Sequence, residues 1–334
     1  MYADCGFTKR EDAGGERHYA GAVPVPWEVP VMQAPIGPAT TPELVTAVSS
    51  VGALGTLAAS WTSPQTLREQ LRVIRSSVGR EFCVNLVLHF DQEERLDLVL
   101  DEGGRFVSFS WGVDRELIER ARGAGVVVLV QVGDVAAARE AADAGADIVI
   151  LQGVEAGGHV QGTTSLSELL TETRLVLDLP IIAAGGISDG ATARAVIDAG
   201  AEGVACGTVF LAATEADVHP AYFERLAGAT AADTVLTTVF DIGWPDAPHR
   251  VLRNDTLARW ESAGRPAPGS RVGEGDVVAV SRGSPVVRYS DVQPTTETEG
   301  DIGSMALYAG TSVDSVRRRA SAAEIVRDIA RDIS

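Results

Sequence analysis

Lysine is nearly absent from this sequence. Lys9 is the only lysine among the 334 residues, and it lies in a polar stretch, residues 1–21, that we expect to be a mobile tail. Enzymes that form a Schiff base with a carbonyl substrate or with pyridoxal phosphate need a lysine amine inside a pocket. The composition therefore disfavours that branch of chemistry.

Cysteine is also scarce. Cys5, Cys83 and Cys206 are odd in number, far apart and not arranged as CxxC, so neither a disulfide framework nor a zinc site is expected. This usage fits a reducing, cytoplasmic compartment. No apolar run approaches the length of about 18 residues that spans a membrane, and residues 1–21 do not resemble a secretory signal. We expect no membrane association.

Positive charge is limited too. The chain has 28 Lys and Arg against 46 Asp and Glu, a net charge of −18, and Arg317–Arg319 is its only basic run. Nucleic-acid binding depends on neutralising phosphates with a basic face, so we expect no nucleic-acid partner. The ends of the predicted strands carry few carboxylates and histidines, which argues against a metal site.

Short apolar runs alternate with helical stretches over the first two thirds of the chain. Continuous apolar runs are typical of parallel strands that are buried on both faces. Ser, Thr or Asp begins several of the helical stretches, and Gly ends several of them. The predicted strands are Val29–Ile36, Ala53–Ala59, Phe82–Leu88, Phe106–Trp111, Val126–Val132, Asp147–Gln152, Pro180–Ala184 and Gly203–Gly207.

Eight such units predict an α/β fold, a (β/α)₈ TIM barrel. The alternative, an open doubly wound sheet, needs a GxGxxG loop after the first strand, and Ala34–Pro38 does not match it. The pattern stops near Thr214. We predict a barrel of residues 22–213 and 304–334, with residues 214–303 inserted as a cap. The cap is expected to contain a hairpin of Val277–Val280 and Val286–Tyr289, and Met305–Ile333 is expected to be helical.

Active sites of such barrels lie at the carboxyl ends of the strands. The last two strands run into Gly185-Gly186 and Gly207-Thr208, which are our predicted phosphate ligands because glycine lets backbone N–H groups approach an anion closely. A tight turn with no ligand is the alternative. After the sixth strand, a glycine-rich loop presents His159, whose imidazole can accept a proton from a carbon acid. The alternative for His159 is a loop histidine that bonds a carbonyl.

The stretch from Gln152 to His159, Gln-Gly-Val-Glu-Ala-Gly-Gly-His, resembles the signature of nitronate monooxygenases, which flavin-dependent enoyl reductases share. Val31–Gly37, Val84–Leu86, Pro180–Ile187, Gly207–Leu211 and Tyr308–Thr311 resemble other segments of the same family. One feature departs from it, because His159-Val160-Gln161-Gly162 is one residue longer than the usual spacing to the next glycine. The loop beside the substrate is therefore expected to differ.

The resemblance implies non-covalent FMN, His159 as the catalytic base, and oxidation of a small-molecule nitronate or nitroalkane with O₂ to a carbonyl compound and nitrite. Strand-end position and the resemblance together give these candidates for FMN contact: Gln33, Ala34, Pro35, Asn85, Gln131, Gln152, Gly157, Gly158, Gly185, Gly186, Ala205, Cys206, Gly207 and Thr208. Trp61 and Trp111 either line the pocket or only pack against their neighbours. Structural roles are expected for Trp244 and His249 in the cap, with contact to the substrate as the alternative.

Two other functions stay open from the sequence. One is a flavin reductase that takes hydride from NAD(P)H, as enoyl and quinone reductases do. The other is a flavin-free barrel, such as a phosphosugar isomerase or a binding scaffold. The oligomeric state is also open, with a homodimer among the options.

Overall fold

Eight parallel strands form the barrel at the centre of this computed structural model, which describes residues 27–333. From the second strand onward, each strand of the barrel pairs in parallel with the next one along the chain, and the eighth pairs with the first. A parallel bridge between Met32 and Leu54 joins the first strand to the second and brings the two edges together. The strands are β1 (Val31–Gln33), β2 (Thr56–Ala58), β3 (Cys83–Val87), β4 (Phe106–Ser110), β5 (Val127–Val132), β6 (Ile148–Gln152), β8 (Ile181–Ala184) and β9 (Gly203–Cys206). All eight predicted barrel strands are confirmed.

Helices connect the strands on the outside of the barrel. They are α1 (Pro42–Ser50), α2 (Pro64–Ser77), α3 (Glu93–Asp101), α4 (Arg115–Gly123), α5 (Val135–Ala144), α6 (Leu166–Arg174) and α7 (Gly190–Asp198). Six begin at a residue whose side chain accepts an N-terminal N–H, as the sequence predicted: Thr41, Ser63, Asp114, Asp134, Ser165 and Asp189.

Glycine at the helix ends follows the expectation with one exception. Gly52, Gly103, Gly125, Gly145 and Gly200 have positive φ, the conformation that costs glycine little. Gly79 does not, because α2 ends through Val78 in an extended conformation. The core is aliphatic and lies both inside the barrel and between the strands and their helices.

The chain beyond Thr214 forms further elements around the barrel. They are α8 (Pro220–Ala227), β10 (Thr234–Thr237), β11 (His249–Leu252), α9 (Asp255–Ser262), β12 (Val277–Ser281), β13 (Ser284–Val287) and β14 (Thr298–Gly300). The hairpin of β12 and β13 is confirmed, and β14 extends it to three strands. A two-residue strand, β7 (Gly158–His159), pairs with β11 and was not predicted.

The final segment is less helical than predicted. Only α10 (Ala322–Ala330) is an α-helix, and the chain before it contains a short 3₁₀ turn at Thr311–Ser315. The basic run is not helical either. Arg317 donates to the carbonyl of Ala229, and Arg319 donates to the carbonyls of Ala213 and Val218. These arginines therefore hold the closing segment against the barrel.

None of the helices within residues 27–333 has both the length and the apolar character that a membrane span requires. The same residues contain no cluster of His, Cys, Asp and Glu with the arrangement of a metal site. The tail predicted for residues 1–21 lies outside the described residues.

Candidate active site

The carboxyl ends of the parallel strands bring the predicted site residues to one end of the barrel. The pairing register sets Gln33 beside Cys206, Ala205 beside Ala184, and Ala184 beside Gln152. The candidates divide into two groups by exposure. Half-buried and therefore reachable are Ala34, Pro35, Gln131, Gly157, Gly158, His159, Gly185, Gly186 and Gly207. Buried are Gln33, Asn85, Gln152, Ala205, Cys206 and Thr208.

A group of glycines that follows β8 and β9 forms one side of this mouth; we call Gly185, Gly186 and Gly207 the glycine cradle. Gly185 and Gly186 have φ of 115° and 72°, which other residues adopt only with strain. None of the three donates its N–H to a hydrogen bond within the described part of the chain. Half-exposed, unpaired N–H groups on adjacent strand ends suit a bound anion.

The cradle has little room for side chains. A Cβ added at Gly185 would lie 3.2 Å from the backbone nitrogen of Ala156, and one at Gly186 would lie 3.2 Å from the Cβ of Glu155. The loop after β6 therefore lies directly against the end of β8. A Cβ at Gly207 would lie 3.4 Å from Ile36. Thr208 has a different role, because its hydroxyl accepts the N–H of Gly310 at 2.9 Å.

The predicted amide side chains are not equivalent. Asn85 donates to the Ser108 hydroxyl at 3.0 Å, and no group in residues 27–333 donates to its carbonyl oxygen. The Gln131 side chain is half-exposed and makes no hydrogen bond among the same residues. The carbonyl oxygen of Asn85 and the whole amide of Gln131 are therefore free to bind a polar ring edge.

The other two amides support the backbone instead. Gln33 is fully buried, accepts the N–H of Thr56 at 3.0 Å and donates to the carbonyl of Ala34. Gln152 donates to the carbonyl of His159 at 3.0 Å and so fixes the loop that carries this histidine. Gly157 is also structural in part, because a Cβ there would overlap the backbone of Gly310.

His159 lies on β7 and is held by its pairing with β11, where it faces His249. Its ring stacks on Trp244 with centroids 4.2 Å apart and meets the edge of Trp111 at 6.0 Å. Tyr308 is also close, with ring centroids 5.5 Å from His159. An aromatic surface therefore surrounds the imidazole.

Within residues 27–333, the imidazole of His159 has no hydrogen-bond partner. Its Nε2 is buried, and no described group bonds it. Burial and, to a smaller extent, the nearby His249 lower the pKa of His159 to about 3. A buried polar atom without a partner costs roughly 1–3 kcal/mol, so its retention indicates a ligand-binding position. The ring is uncharged at neutral pH.

Trp244 and His249 come from the segment that was predicted to cap the barrel. His249 is wholly buried; its Nδ1 lies 2.9 Å from the carbonyl of Ala247, and its Nε2 accepts the N–H of Phe240 at 3.2 Å. These bonds close the loop that carries Trp244, so His249 supports the backbone there. Trp244 was expected to be structural as well, yet it contacts His159 directly. Its distance of 85 positions along the sequence hides this contact from any local pattern.

Sequence comparison agrees with this geometry. A barrel whose strand ends carry an unpaired imidazole and a glycine cradle defines an α/β-barrel enzyme. The profile of the nitronate monooxygenase family matches residues 25–94 and 89–332. The chain belongs to this family and is a flavin-dependent oxidoreductase.

Individual relatives carry different names. A protein of Mycobacterium tuberculosis named (3aS,4S,5R,7aS)-5-hydroxy-7a-methyl-1-oxo-octahydro-1H-indene-4-carboxyl-CoA dehydrogenase is 35% identical over 241 residues, which are 71% of this chain and 67% of that protein. A nitronate monooxygenase of Pseudomonas aeruginosa is 31% identical over 259 residues, 62% of this chain and 73% of the relative.

Solved structures match over a larger share. FabK from Thermotoga maritima is 29% identical, with a TM-score of 0.78 over 92% of this chain and 93% of its own. A nitroalkane oxidase from Streptomyces ansochromogenes is also 29% identical, with a TM-score of 0.76 over 92% of this chain and 96% of its own. The barrel and the elements around it are thus shared with both.

Proposed function

We propose that this protein binds FMN and oxidises a nitronate or a nitroalkane with O₂, giving a carbonyl compound and nitrite. The observation that carries the proposal is His159, an uncharged imidazole with an unpartnered Nε2 at the same barrel mouth as the glycine cradle. A carbon acid needs a nearby acceptor for its proton, which His159 can be. An anion such as a phosphate needs hydrogen-bond donors, which the glycine cradle can supply.

The described residues fit FMN. The glycine cradle, with its three unpaired N–H groups, would hold the phosphate, and Ala34 and Pro35 would lie beside it. The free amide groups of Asn85 and Gln131 would pair with polar edges of the ring. Gln33, Gln152, Gly157, Ala205, Cys206 and Thr208 would support the backbone around the cofactor. FMN would supply the acceptor for the substrate's electrons and their transfer to O₂.

His159 is the residue we assign to proton transfer. Its low pKa keeps the imidazole unprotonated over the whole physiological range, so the proton-accepting form is always present. An anionic nitronate formed beside the ring would favour the imidazolium and so raise its pKa as the proton arrives. Gln152, which fixes the backbone of His159, would keep the ring in position.

The cap is part of the proposal. Residues 214–303 supply Trp244, which stacks on His159, and β11, which pairs with β7. These contacts support a cap that closes the site and excludes water from the reacting carbon. The extent of the barrel, residues 22–213 and 304–334, stays a prediction, and residues 22–26 of it lie outside the described residues.

A second candidate is a dehydrogenase or an NAD(P)H-dependent reductase that acts on a coenzyme A thioester. The 35% identity to the Mycobacterium tuberculosis dehydrogenase favours it. A dehydrogenase would lose a proton from the carbon beside the thioester carbonyl to His159, whereas a reductase would take its electrons from NAD(P)H and add a proton to carbon. The candidates therefore differ in where the electrons come from and where they go.

Anaerobic mixing tests the two candidates against each other. The purified, flavin-loaded protein is mixed in parallel with ethyl nitronate, NADH and NADPH, and the flavin absorbance is recorded before and after air is admitted. We expect ethyl nitronate to bleach the flavin and air to restore it, with nitrite released. Bleaching by NADH or NADPH alone would favour the reductase.

A further inference from the structure

An arginine and a carboxylate form the same ion pair twice at the end of the barrel opposite the candidate active site. Arg122, in the last turn of α4, pairs at 3.4 Å with Asp147, which stands just before β6. Arg174, in the last turn of α6, pairs with Glu202, which stands just before β9. In both pairs, the helix arginine meets the residue that enters the second barrel strand after that helix.

Each of these carboxylates also binds a backbone group. Asp147 accepts the N–H of Val128, near the start of β5, at 2.8 Å. Glu202 accepts the N–H of Ile181, the first residue of β8, at 2.7 Å. A guanidinium and a backbone N–H thus bind one oxyanion group together, and such charge-assisted hydrogen bonds are strong.

Between α2 and β4, a second arginine takes the place of the carboxylate. Arg75 lies in the last turn of α2, and the residue just before β4 is Arg105. The register of β3 and β4 sets Cys83 opposite Phe106, and therefore Phe82 opposite Arg105. Within residues 27–333, neither arginine side chain has a hydrogen bond or an ion pair, and the N–H of Phe82 donates to no group. The two donors of the repeat are therefore kept, while the carboxylate that binds them elsewhere is replaced by a cation.

A glycine with positive φ marks this position in all three places. It stands two residues before the residue that enters the strand: Gly103, Gly145 and Gly200. The helix arginine lies over this glycine each time, because a Cβ there would lie 2.6 Å from Arg75, 3.0 Å from Arg122 and 3.5 Å from Arg174. The local geometry is thus shared, and the three places differ in the charge of the residue that enters the strand.

A cavity of about 310 Å³ opens at this place, at the lower end of the roughly 300–1,000 Å³ that small-molecule pockets have. The end of α2 and the loops that enter β3 and β4 surround it, and three arginines line it: Arg75, Arg80 and Arg105. Arg80 pairs with Glu28 at 2.6 Å. Glu81 also lines the cavity, but it is exposed and has no ion pair within residues 27–333. The cavity therefore has an excess of positive charge in a chain whose net charge is −18.

Arg75 and Arg105 carry like charges in one cavity. Two guanidinium groups repel each other unless a negative charge lies between them. Support of the helix end does not explain Arg75, because an arginine in that role donates to backbone carbonyls, as Arg174 does to those of Leu179 and Gly200. Arg75 donates to none within the described part of the chain. The two arginines are thus arranged for a ligand that brings negative charge.

We propose that this cavity binds a small phosphate-bearing anion, and that its phosphate takes the place that the Asp147 and Glu202 carboxylates take in the two ion pairs. The planar fork of a guanidinium matches two phosphate oxygens, and two arginines suit a doubly charged phosphate better than a singly charged carboxylate. The N–H of Phe82 would donate to the same group. The cavity lies at the amino-terminal end of the strands, away from the barrel mouth, so this inference does not depend on the proposed function.

Calorimetric titration with pyrophosphate tests the cavity. The FMN-loaded protein, in which the proposed cofactor occupies the glycine cradle, would be titrated with sodium pyrophosphate and with sodium acetate. We expect one pyrophosphate per chain, bound at least about tenfold more tightly than acetate. Arg75→Gln and Arg105→Gln should each weaken pyrophosphate binding at least about fivefold. Arg139→Gln, at an exposed arginine of α5, is the matched control and should bind pyrophosphate like the wild type.

Arg105→Asp tests the comparison with the two ion pairs, because it supplies the carboxylate from within the chain. We expect this variant to lose pyrophosphate binding. With no anion present, urea titration should give it a folding equilibrium constant about twofold to fivefold larger than that of the wild type. Pyrophosphate should stabilise the wild type but not this variant. Arg139→Asp makes the same change of charge away from the cavity and is the control.

Three results would overturn the proposal. The first is a wild type that binds no pyrophosphate, and the second is equal binding by the wild type, Arg75→Gln and Arg105→Asp. The third is binding that excess FMN abolishes, which would place the anion in the glycine cradle instead. If Arg105→Asp fails to fold, Arg75→Gln and Arg105→Gln decide the question. A protein that takes up no FMN would be titrated alone, and the same arginine variants would still separate the two sites.

Discussion

The two sides of the barrel mouth differ in whether they present backbone groups or side chains. On one side, the ends of β8 and β9 present the glycine cradle, whose N–H groups are unpaired within residues 27–333 and which carries no side chains. On the other side, the ends of β4 and β6 present Trp111 and His159, and the cap adds Trp244. Under the proposed function, the backbone side would hold the cofactor, and the side chains from separate segments would select the substrate.

This contrast predicts different responses to mutation. The cradle side should be insensitive to side-chain truncation but intolerant of an added Cβ, because close approach and positive φ depend on glycine. The aromatic side should respond to changes in shape and in proton-accepting ability. The following predictions test the contrast from the largest expected effect to the smallest.

Gly185→Ala should have the largest effect. At φ of 115° the new Cβ adds strain, and it would lie 3.2 Å from the nitrogen of Ala156 and the carbonyl of Gly153. We expect FMN affinity to fall by about a thousandfold, because strain and lost charge-assisted hydrogen bonds add up. Gly125→Ala is the matched control: its φ is 79°, nothing lies within 4 Å of its Cβ position, and it is far from the mouth. Similar FMN affinity in both variants would refute the proposal that the glycine cradle binds FMN.

His159→Ala should slow the oxidation of neutral nitroalkanes by about a hundredfold, the lower end of what a general base contributes. Preformed nitronates have already lost the proton, so their kcat/KM should fall less than about tenfold. Steady-state kinetics with nitroethane and ethyl nitronate on FMN-loaded protein measures both. Equal losses on the two substrates would show that His159 does not accept the proton.

Acid should destabilise the protein through His159. Its pKa is about 3 when folded and close to 6.5 when unfolded, so the unfolded chain binds the proton first. The stability from the uncharged ring is therefore complete above pH 6.5 and is lost as the pH falls towards 3. Between pH 6.5 and 5, the free energy of unfolding should drop by about 2 kcal/mol from this group. Urea titrations of the wild type and His159→Phe measure this difference, and the same pH dependence in both would contradict the assignment.

Cys206→Ala should have the smallest effect. Burial raises the pKa of the Cys206 thiol to about 12, so the group behaves as a small apolar side chain and not as a nucleophile. We expect a loss of about 1 kcal/mol in stability with FMN affinity unchanged. Cys83→Ala, at the other free buried cysteine, is the matched control and should behave alike. A selective loss of FMN in Cys206→Ala would mean that side chains do build the cradle side.

The barrel itself could be predicted from the sequence because its signals are local. Each strand is a continuous apolar run, and six helices begin at the capping residue that the pattern indicated. The prediction of a helix over Met305–Ile333 was wrong for most of that range. There the chain is held against the barrel by long-range hydrogen bonds, such as the one that the N–H of Gly310 donates to the Thr208 hydroxyl. The periodicity of apolar residues in the sequence does not reveal such bonds.

The candidate site divides in the same way. Gly185, Gly186 and Gly207 could be singled out from the sequence because they stand at the ends of the last two predicted barrel strands. The environment of His159 was not predictable, because Trp244 reaches it from the cap and β7 pairs with a strand about 90 residues later. The roles of Gln33 and Gln152 were also hidden, since an amide beside a pocket and an amide bonded to backbone look the same in a sequence.

The preference for FMN over riboflavin tests most directly the claim that the glycine cradle holds the phosphate of FMN. Apo-protein would be titrated with FMN and with riboflavin, which lacks the phosphate, and the change in flavin fluorescence would give the two Kd values. If the glycine cradle holds the phosphate, FMN should bind at least about a hundredfold tighter than riboflavin, with one flavin per chain. Equal affinity for FMN and riboflavin, or binding of neither, would contradict the account.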